Sequence, residues 1–124
     1  MAQNWTEAVK LYTKAADQGM IQATHNLGLS YARGEGAAQS WPEAARLWGL
    51  AAAAGKPESM HNLAHCYSDG KGVVRDRGES TRLYRLAAAQ GYGLSQTELD
   101  RILKDPAAFE AGPDRSTFWS EPGV

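Results

Sequence analysis

The sequence predicts an all-α fold, built as a solenoid of αα-hairpins. Apolar residues recur at the i, i+3, i+4, i+7, i+8 spacing that places side chains on one face of a helix. No segment of the sequence alternates between apolar and polar residues with the period of two that a half-buried strand shows. The helical pattern also returns after 36 residues, which indicates a stack of small repeated units.

The clearest copy of the repeat covers residues 56–91, and a shift of 36 positions superimposes it on residues 20–55. The tripeptide His-Asn-Leu at 61–63 then falls on the same tripeptide at 25–27. Helical segments flank the two copies, so the sequence predicts about two full repeats with a half repeat at each end.

The second helix of each hairpin, called the B helix, has clear start and stop signals. The first B helix is predicted at residues 5–18, and its apolar face returns in two later copies. Each copy begins with an N-capping side chain followed three residues later by glutamate, which is the signature of a capping box. These pairs are Asn4 and Glu7, Ser40 and Glu43, and Asp76 and Glu79. Each copy ends at a glycine suited to the left-handed position after a helix: Gly19, Gly55 and Gly91.

The first helix of each hairpin, called the A helix, is predicted at residues 20–32, 57–68 and 94–104. Leucine and tyrosine form the buried face that the first two copies share. Gly28 and Ala64 on this face are small enough to let a neighbouring helix approach closely. Glycines between each A helix and its B helix supply the turns that reverse the chain.

The third A helix departs from the repeat pattern, because Asp100 stands where Gly28 and Ala64 permit close packing. A charge at this position indicates a capping helix, since the terminal unit of a solenoid requires a polar outer face. The solenoid is therefore expected to cover residues 1–104. Residues 105–124 are expected to form an irregular tail, whose aromatic residues either fold back onto the last helices or stay disordered.

Composition and charge limit the classes of function. The formal net charge is −1 and the pI is about 6.3, so the chain lacks the basic excess of nucleic-acid-binding or membrane-surface proteins. The single cysteine, Cys66, excludes an internal disulfide and a cysteine-based zinc motif. No apolar run approaches the roughly 20 residues of a membrane helix, and no signal-peptide pattern is present. We expect a cytoplasmic location, or a periplasmic or secreted one if a signal peptide was removed.

The recurring pattern reads Leu-Gly/Ala-x-x-Tyr-x-x-Gly-x-Gly and continues, in the B helix, as Glu-Ala/Ser-x-x-Leu-Tyr/Trp-x-x-Ala-Ala-x-x-Gly. Over residues 5–103 it resembles the Sel-1-like repeat (SLR) family, an αα-solenoid related to the tetratricopeptide repeat. The resemblance implies a right-handed superhelix of αα-hairpins. Residues 37–40 of the first full repeat depart from the family, where Val and Asp are usual, and this affects a loop. The resemblance implies a non-catalytic scaffold or adaptor, without a cofactor, that binds a protein or peptide on its concave face.

The first predicted helix is a B helix, and this leaves two possibilities open. A repeat upstream of it could be missing, in which case the chain is a piece of a longer repeat protein. Alternatively, the open N-terminal end at Trp5 could stack on a second copy, which would make the chain a self-associating structural piece.

If the superhelix follows that of the tetratricopeptide relatives, the A helices line the concave face. The positions expected to point into this groove are Gln22, His25, Leu29 and Arg33; Glu58, His61, His65 and Asp69; and Leu94, Thr97, Arg101 and Lys104. Within the second set, spacings of three and four residues place the side chains on one side of the helix. All three histidines are thus predicted to share one groove as solvated, partner-contacting side chains. The expected hot spots are His25, His61, His65 and Arg101, with Leu29 and Leu94 as apolar anchors.

A metal-binding groove is an alternative from a different class of function. His61 and His65 lie one helical turn apart, so with His25 or Glu58 they could chelate zinc or nickel. The segment from His61 to His65 has the two-histidine frame of a zincin, but Asn62 occupies the place of the general-base glutamate. An amide cannot take a proton from a metal-bound water, so we expect no hydrolytic activity.

Overall fold

The structure, a computed structural model, describes residues 4–107. Within this range the chain forms six α-helices and no strand, which confirms the all-α prediction. The helices are α1 (Trp5–Asp17), α2 (Ile21–Arg33), α3 (Trp41–Ala53), α4 (Pro57–Asp69), α5 (Arg77–Ala89) and α6 (Gly93–Lys104). The B helices are α1, α3 and α5, and the A helices are α2, α4 and α6. The aromatic residues of the predicted tail lie outside the described residues.

Successive helices pack against each other in chain order from α1 to α6. The most extensive pairings are α2 with α3 and α4 with α5, so each A helix forms a hairpin with the B helix that follows it. The stacked hairpins form an all-α repeat solenoid, as predicted. No helix among the described residues is long and apolar enough to cross a membrane.

The starts of the B helices have the predicted N-caps, but only half of the capping box forms. The side chain of Ser40 accepts a hydrogen bond from the Glu43 backbone N–H at 3.3 Å. The Ser40 backbone N–H does not bond to the glutamate side chain, because it donates to the Tyr31 carbonyl at 2.9 Å. Glu43 pairs with Arg46 instead, with 3.1 Å between Oε1 and the Arg46 Nε. In the next repeat Asp76 makes the same contacts, with the Glu79 N–H and the Tyr67 carbonyl. The capping residue therefore links the start of each of these B helices to the preceding A helix.

Each B helix ends in a Schellman motif, as its glycine predicts. In α1, the Gly19 N–H donates to the Ala16 carbonyl at 2.9 Å and the Met20 N–H donates to the Ala15 carbonyl at 3.1 Å. The same pair of bonds closes the other two B helices. These ends fix the direction in which the chain enters the next A helix.

The turn inside each repeat rests on the start of the preceding B helix. A Cβ atom at Gly36 would lie 2.2 Å from the Trp5 carbonyl oxygen, and one at Gly72 would lie 2.3 Å from the Trp41 carbonyl oxygen. Gly72 also has a φ of +76°, a backbone conformation that favours glycine. The second glycine of each turn is therefore required by its conformation and by this contact between repeats.

The core runs through the repeats and includes Trp48, which is 3% exposed. Its ring lies directly on Gly28, where a Cβ atom would come within 2.5 Å of Trp48 Nε1. The indole N–H donates to the His25 carbonyl oxygen at 3.3 Å. In the next repeat, Tyr84 takes the position of the tryptophan and Ala64 that of the glycine. The larger ring, of tryptophan, thus occurs with glycine, and the smaller ring, of tyrosine, occurs with alanine.

The apolar face of α1 is less covered than those of the other B helices. Leu11 is 59% exposed, whereas Leu47 and Leu83 at the same repeat position are 4% and 3% exposed. No described side chain of α1 is buried, and this helix packs chiefly against α2. Leu11 therefore lies on an apolar surface at one end of the described solenoid.

Candidate functional site

The positions predicted to line the groove divide into buried and exposed residues. His25 and His61 are only 7% and 8% exposed, so the prediction that they are solvated groove side chains is wrong. His65 is exposed, and so is Arg33 at the end of α2. The two buried histidines each contact a serine of the following A helix, whereas His65 and Arg33 lie nearer the C-terminal ends of α4 and α2.

The two buried histidines connect successive A helices through the same contact. His25 Nδ1 lies 2.6 Å from Ser59 Oγ and joins α2 to α4. His61 Nδ1 lies 2.8 Å from Ser95 Oγ and joins α4 to α6. Both serine side chains are fully buried. These hydrogen bonds give the two imidazoles a structural role in the stack.

Burial lowers the pKa of both histidines below its ordinary value. For His25 the neighbouring Lys56 lowers the pKa further, and Glu58 opposes this. For His61 the neighbouring His65 adds to the effect of burial, and Glu98 opposes it. Both rings are therefore neutral at physiological pH. The serine hydroxyl can donate to Nδ1 of such a ring or accept from it, according to the tautomer.

An aromatic cluster surrounds His61 and explains why it is a core residue. The ring centroids of Tyr84 and Tyr92 both lie 5.4 Å from that of His61, and His65 lies at 5.0 Å. All three rings meet His61 edge-on. Tyr84 is 2% exposed, and burial raises the pKa of its hydroxyl. This packing leaves His65 as the exposed member of the pair.

The three histidines do not meet in a common metal site. His25 packs at the α2–α4 junction beside Trp48, whereas His61 and His65 lie together one repeat further on. Among residues 4–107, no group of three or more histidine, cysteine, aspartate or glutamate side chains could hold a metal ion. The alternative of a metal-binding groove formed by His25, His61 and His65 is therefore not supported by the geometry.

The remaining predicted positions are spread along the surface of the A helices. Gln22 and Arg101 bond to side chains on their own helices. Glu58 pairs with Lys56 at 2.7 Å, and Leu94 is 61% exposed at the start of α6. Thr97 and Lys104 are exposed on the same helix. These side chains are accessible, but they do not converge on one point.

Four of the predicted positions do converge, at a cleft of about 440 Å³ between the C-terminal halves of α2 and α4. They are Leu29, Arg33, His65 and Asp69. The apolar lining is completed by Ala32, Trp41, Trp48 and Cys66, and the polar lining by Asn62 and Lys71. The volume lies in the range of about 300–1,000 Å³ that is typical of ligand pockets.

The cleft has an aromatic and cationic mouth above an apolar floor. Trp48 and Cys66 are 3% and 1% exposed and form the floor. Lys71 Nζ lies 4.7 Å from the centroid of the Trp41 ring, in a cation–π contact. Burial raises the pKa of the Cys66 thiol to about 12, so this thiol stays protonated at neutral pH. The cleft can therefore bind a side chain, but its cysteine cannot act as a nucleophile.

The family model described as Sel1 repeat matches residues 3–20, 21–56 and 57–92. These three segments cover most of the chain and follow the helix stack just described. The chain belongs to the Sel1 repeat family. Sel1 repeat proteins generally act in protein–protein interactions as non-catalytic scaffolds.

Solved structures of other Sel1 repeat proteins have the same fold. The chain is 34% identical, with a TM-score of 0.79, to c5321, described as a protective antigen present in uropathogenic Escherichia coli strains and displaying an SLR fold. It is 27% identical, with a TM-score of 0.79, to a Sel1 repeat protein from Oxalobacter formigenes. Helicobacter pylori cysteine rich protein B shares the fold at 20% identity, with a TM-score of 0.70.

The Sel1 repeats of this chain correspond to a part of these relatives. The match covers 81% of this chain and 21% of the Escherichia coli protein, and 86% of this chain and 44% of the Oxalobacter formigenes protein. For the Helicobacter pylori protein the shares are 73% and 68%. No curated protein sequence is significantly similar to the chain.

Two groups of site residues do not follow from the pattern along a single A helix. Ser59 lies two positions before His61, and Ser95 lies two positions before Thr97, which is the counterpart of His61. Each serine bonds to the histidine of the preceding repeat instead. Trp41 and Lys71 lie at a helix start and in a turn, outside the A-helix face that was predicted to bind. A comparison of residues across neighbouring Sel1 repeats, rather than along one helix, could have found both groups.

Proposed function

We propose that this chain is a non-catalytic protein-interaction module that binds a peptide or protein partner on the surface of α2, α4 and α6. The observation that carries the proposal is the cleft between α2 and α4, because it combines an apolar floor with exposed polar side chains at its rim. The family's general role in protein–protein interaction supports this function.

The hairpin stack supports such a role through preorganisation. Schellman motifs, buried histidine–serine bonds and glycine contacts hold successive A helices in a defined arrangement. A partner that binds to them does not have to order the receptor surface, so less conformational entropy is lost on binding.

Two matched variants test which face binds. Leu29→Gln removes an apolar wall of the cleft, whereas Leu50→Gln changes an exposed leucine on α3 outside the cleft. Affinity capture from a native lysate should lose the partner with Leu29→Gln and keep it with Leu50→Gln, provided circular dichroism shows equal helix content. Equal capture by both variants would assign binding to another face.

A second proposal, self-association, is favoured by one specific observation. Leu11 is 59% exposed although its counterparts in the later B helices are buried, so the α1 face can accept a second copy of the chain. Light scattering over a range of concentrations should then show a rise in mass for the wild type and none for Leu11→Gln. A constant monomer mass for both would contradict self-association.

A further inference from the structure

We propose that the cleft between α2 and α4 binds one large apolar side chain, preferably aromatic, that is flanked by a carboxylate in an extended peptide. This inference rests on the proposed protein-binding function and names the chemistry of the partner. It combines three features of the cleft: its apolar floor, the cations at its mouth and an amide on its wall that has no hydrogen-bond partner among residues 4–107.

The floor of the cleft suits a large apolar side chain. Trp48 and Cys66 provide its buried base, and Leu29 forms a half-buried wall. The Trp41 ring at the mouth offers a face or an edge to a second aromatic ring. Because aromatic side chains bring a large area with few rotatable bonds, they are favoured anchors for such pockets.

The cations at the mouth favour a carboxylate beside that side chain. Arg33 has a side chain that is 62% exposed, and its nearest ionic partner, Glu35, is 3.9 Å away, so its guanidinium can still bind a carboxylate through two N–H groups. Lys71, whose Nζ lies over the Trp41 ring, is the second cation of the cleft lining. The cleft lining also includes the carboxylate of Asp69, whose charge contributes to the raised pKa of Arg101 in α6.

Asn62 on the wall of the cleft favours a peptide over a compact ion. Its side chain is half-buried and makes no hydrogen bond to any residue between 4 and 107. An amide presents one acceptor and two donors, which matches the N–H and C=O groups of an extended backbone. A bound peptide would satisfy this group, which otherwise loses part of its hydration.

The next junction along the solenoid lacks this combination of residues. Between α4 and α6, Arg77 stands at the position of Trp41, and Glu98 and Arg101 stand at those of Asn62 and His65. Glu98 and Arg101 pair with each other at 2.6 Å. The aromatic mouth and the unpaired amide are therefore features of the α2–α4 junction, and we expect one anchor side chain for each bound peptide.

A titration of the ¹⁵N-labelled chain tests the preference with three matched peptides. The peptides are acetyl-Gly-Trp-Glu-Gly-amide, its Trp→Ala analogue and its Glu→Lys analogue. The first should give saturable shifts at the Asn62 side-chain amide and the Trp41 indole N–H. The alanine analogue should give none, and the lysine analogue should bind about two- to fivefold more weakly for each ion pair lost. Added salt should reduce this difference.

Charge-reversal variants show whether the cleft causes the preference. Arg33→Glu should weaken binding of the glutamate peptide and strengthen that of the lysine peptide. Arg85→Glu, at an exposed position of α5 outside the cleft lining, should change neither. Equal binding of both tryptophan peptides to the wild type, or shifts that map away from Asn62, would overturn the inference. Equally tight binding of adenosine 5′-monophosphate would overturn it as well and indicate a nucleotide site.

These outcomes can be separated from failure of the proposed function. If partner capture depends on Leu29 while no tryptophan peptide binds, the module binds proteins but the inferred anchor chemistry is wrong. If capture is independent of Leu29 and no peptide binds, both the cleft as a binding site and its ligand chemistry are wrong.

Discussion

His25 Nδ1 lies 2.6 Å from Ser59 Oγ, and this contact is repeated one unit later by His61 and Ser95 at 2.8 Å. Each bond joins one A helix to the next rather than to its own hairpin partner. The helices of the solenoid pack chiefly against their neighbours in the chain, so these polar pairs are specific links between repeats. They also determine which side chains of the A-helix face are left for a partner.

Removal of the serine hydroxyl should destabilise the solenoid. Ser59→Ala leaves His25 Nδ1 buried without its partner, and we expect the free energy of unfolding to fall by about 1–3 kcal/mol. Ser95→Ala should have a similar effect through His61. Urea unfolding followed by circular dichroism measures both. Unchanged unfolding midpoints would show that the histidine–serine bonds contribute no stability.

The same substitution at Ser80 should have the opposite effect. Ser80 is fully buried on α5, and its Oγ has no hydrogen-bond partner within residues 4–107. Ser80 does lie close enough to the Tyr84 hydroxyl to lower its pKa, against the larger effect of burial. Ala44, at the same position of the preceding repeat, is also fully buried. We therefore expect Ser80→Ala to raise the free energy of unfolding by about 1 kcal/mol, since it removes an unsatisfied polar group. A loss of stability in the same urea experiment would contradict this.

Stability should decrease as the pH falls through the range of histidine titration. Unfolded histidines bind a proton near pH 6.5, whereas burial lowers the pKa of His25 and His61 in the folded chain. Between these values the unfolded state binds more protons, so the free energy of unfolding rises with pH there and its histidine contribution levels off above about pH 7.5. Melting temperatures measured from pH 8 to pH 5 should show the fall.

Two variants identify the histidines responsible for this pH dependence. The double variant His25→Asn/His61→Asn keeps an amide near each serine and should lose most of the fall. His65→Gln should retain most of it, because burial lowers the pKa of His61 more than His65 does. The carboxylates do not obscure the result. Their arginine or lysine partners lower the pKa of Glu43, Glu58 and Glu79 below 4.5, so their contribution is lost at more acidic pH. Equal pH dependence in all variants would rule out the buried histidines as its source.

Two glycine-to-alanine substitutions should change stability in opposite directions. Gly72→Ala places a Cβ atom against the Trp41 carbonyl and forces a φ of +76° on alanine, so we expect a loss of about 2–4 kcal/mol. In Gly49→Ala, on α3, the added Cβ meets no atom of residues 4–107 within 4 Å apart from its chain neighbours and its own helix backbone, so this variant should stabilise the helix by about 0.5–1 kcal/mol. Thermal unfolding of both variants checks the pair. A stable Gly72→Ala variant would show that the turn can move off the preceding helix.

The repeat architecture could be predicted because each signal is local. The N-capping side chains, the glycines at helix ends and the apolar spacing all act within a few residues, and the structure confirms each of them. Which side chains of the A-helix face are buried and which are exposed could not be predicted from such local signals. His25 looks exposed when α2 is considered alone, but in the stack it is buried and lies against Ser59 of α4 and Trp48 of α3.

Part of the cleft lining could be predicted, because spacing along one helix is also a local signal. Leu29 and Arg33 follow from the spacing along α2, and His65 and Asp69 from that along α4. The contribution of Trp41 depends on where the end of one hairpin meets the next, which no single-helix pattern contains. Its repeat counterparts, Trp5 and Arg77, show that the position itself varies.

The most direct test of partner binding in the cleft is a comparison of two photo-crosslinking positions in native lysate. A benzophenone amino acid replaces Arg33 at the cleft mouth in one protein and Arg85 on α5 in the other. We expect a discrete protein adduct from position 33 that is lost when Leu29→Gln is added, and no such adduct from position 85. The same adduct from both positions, or one from position 33 that persists with Leu29→Gln, would contradict the assignment of partner binding to the cleft.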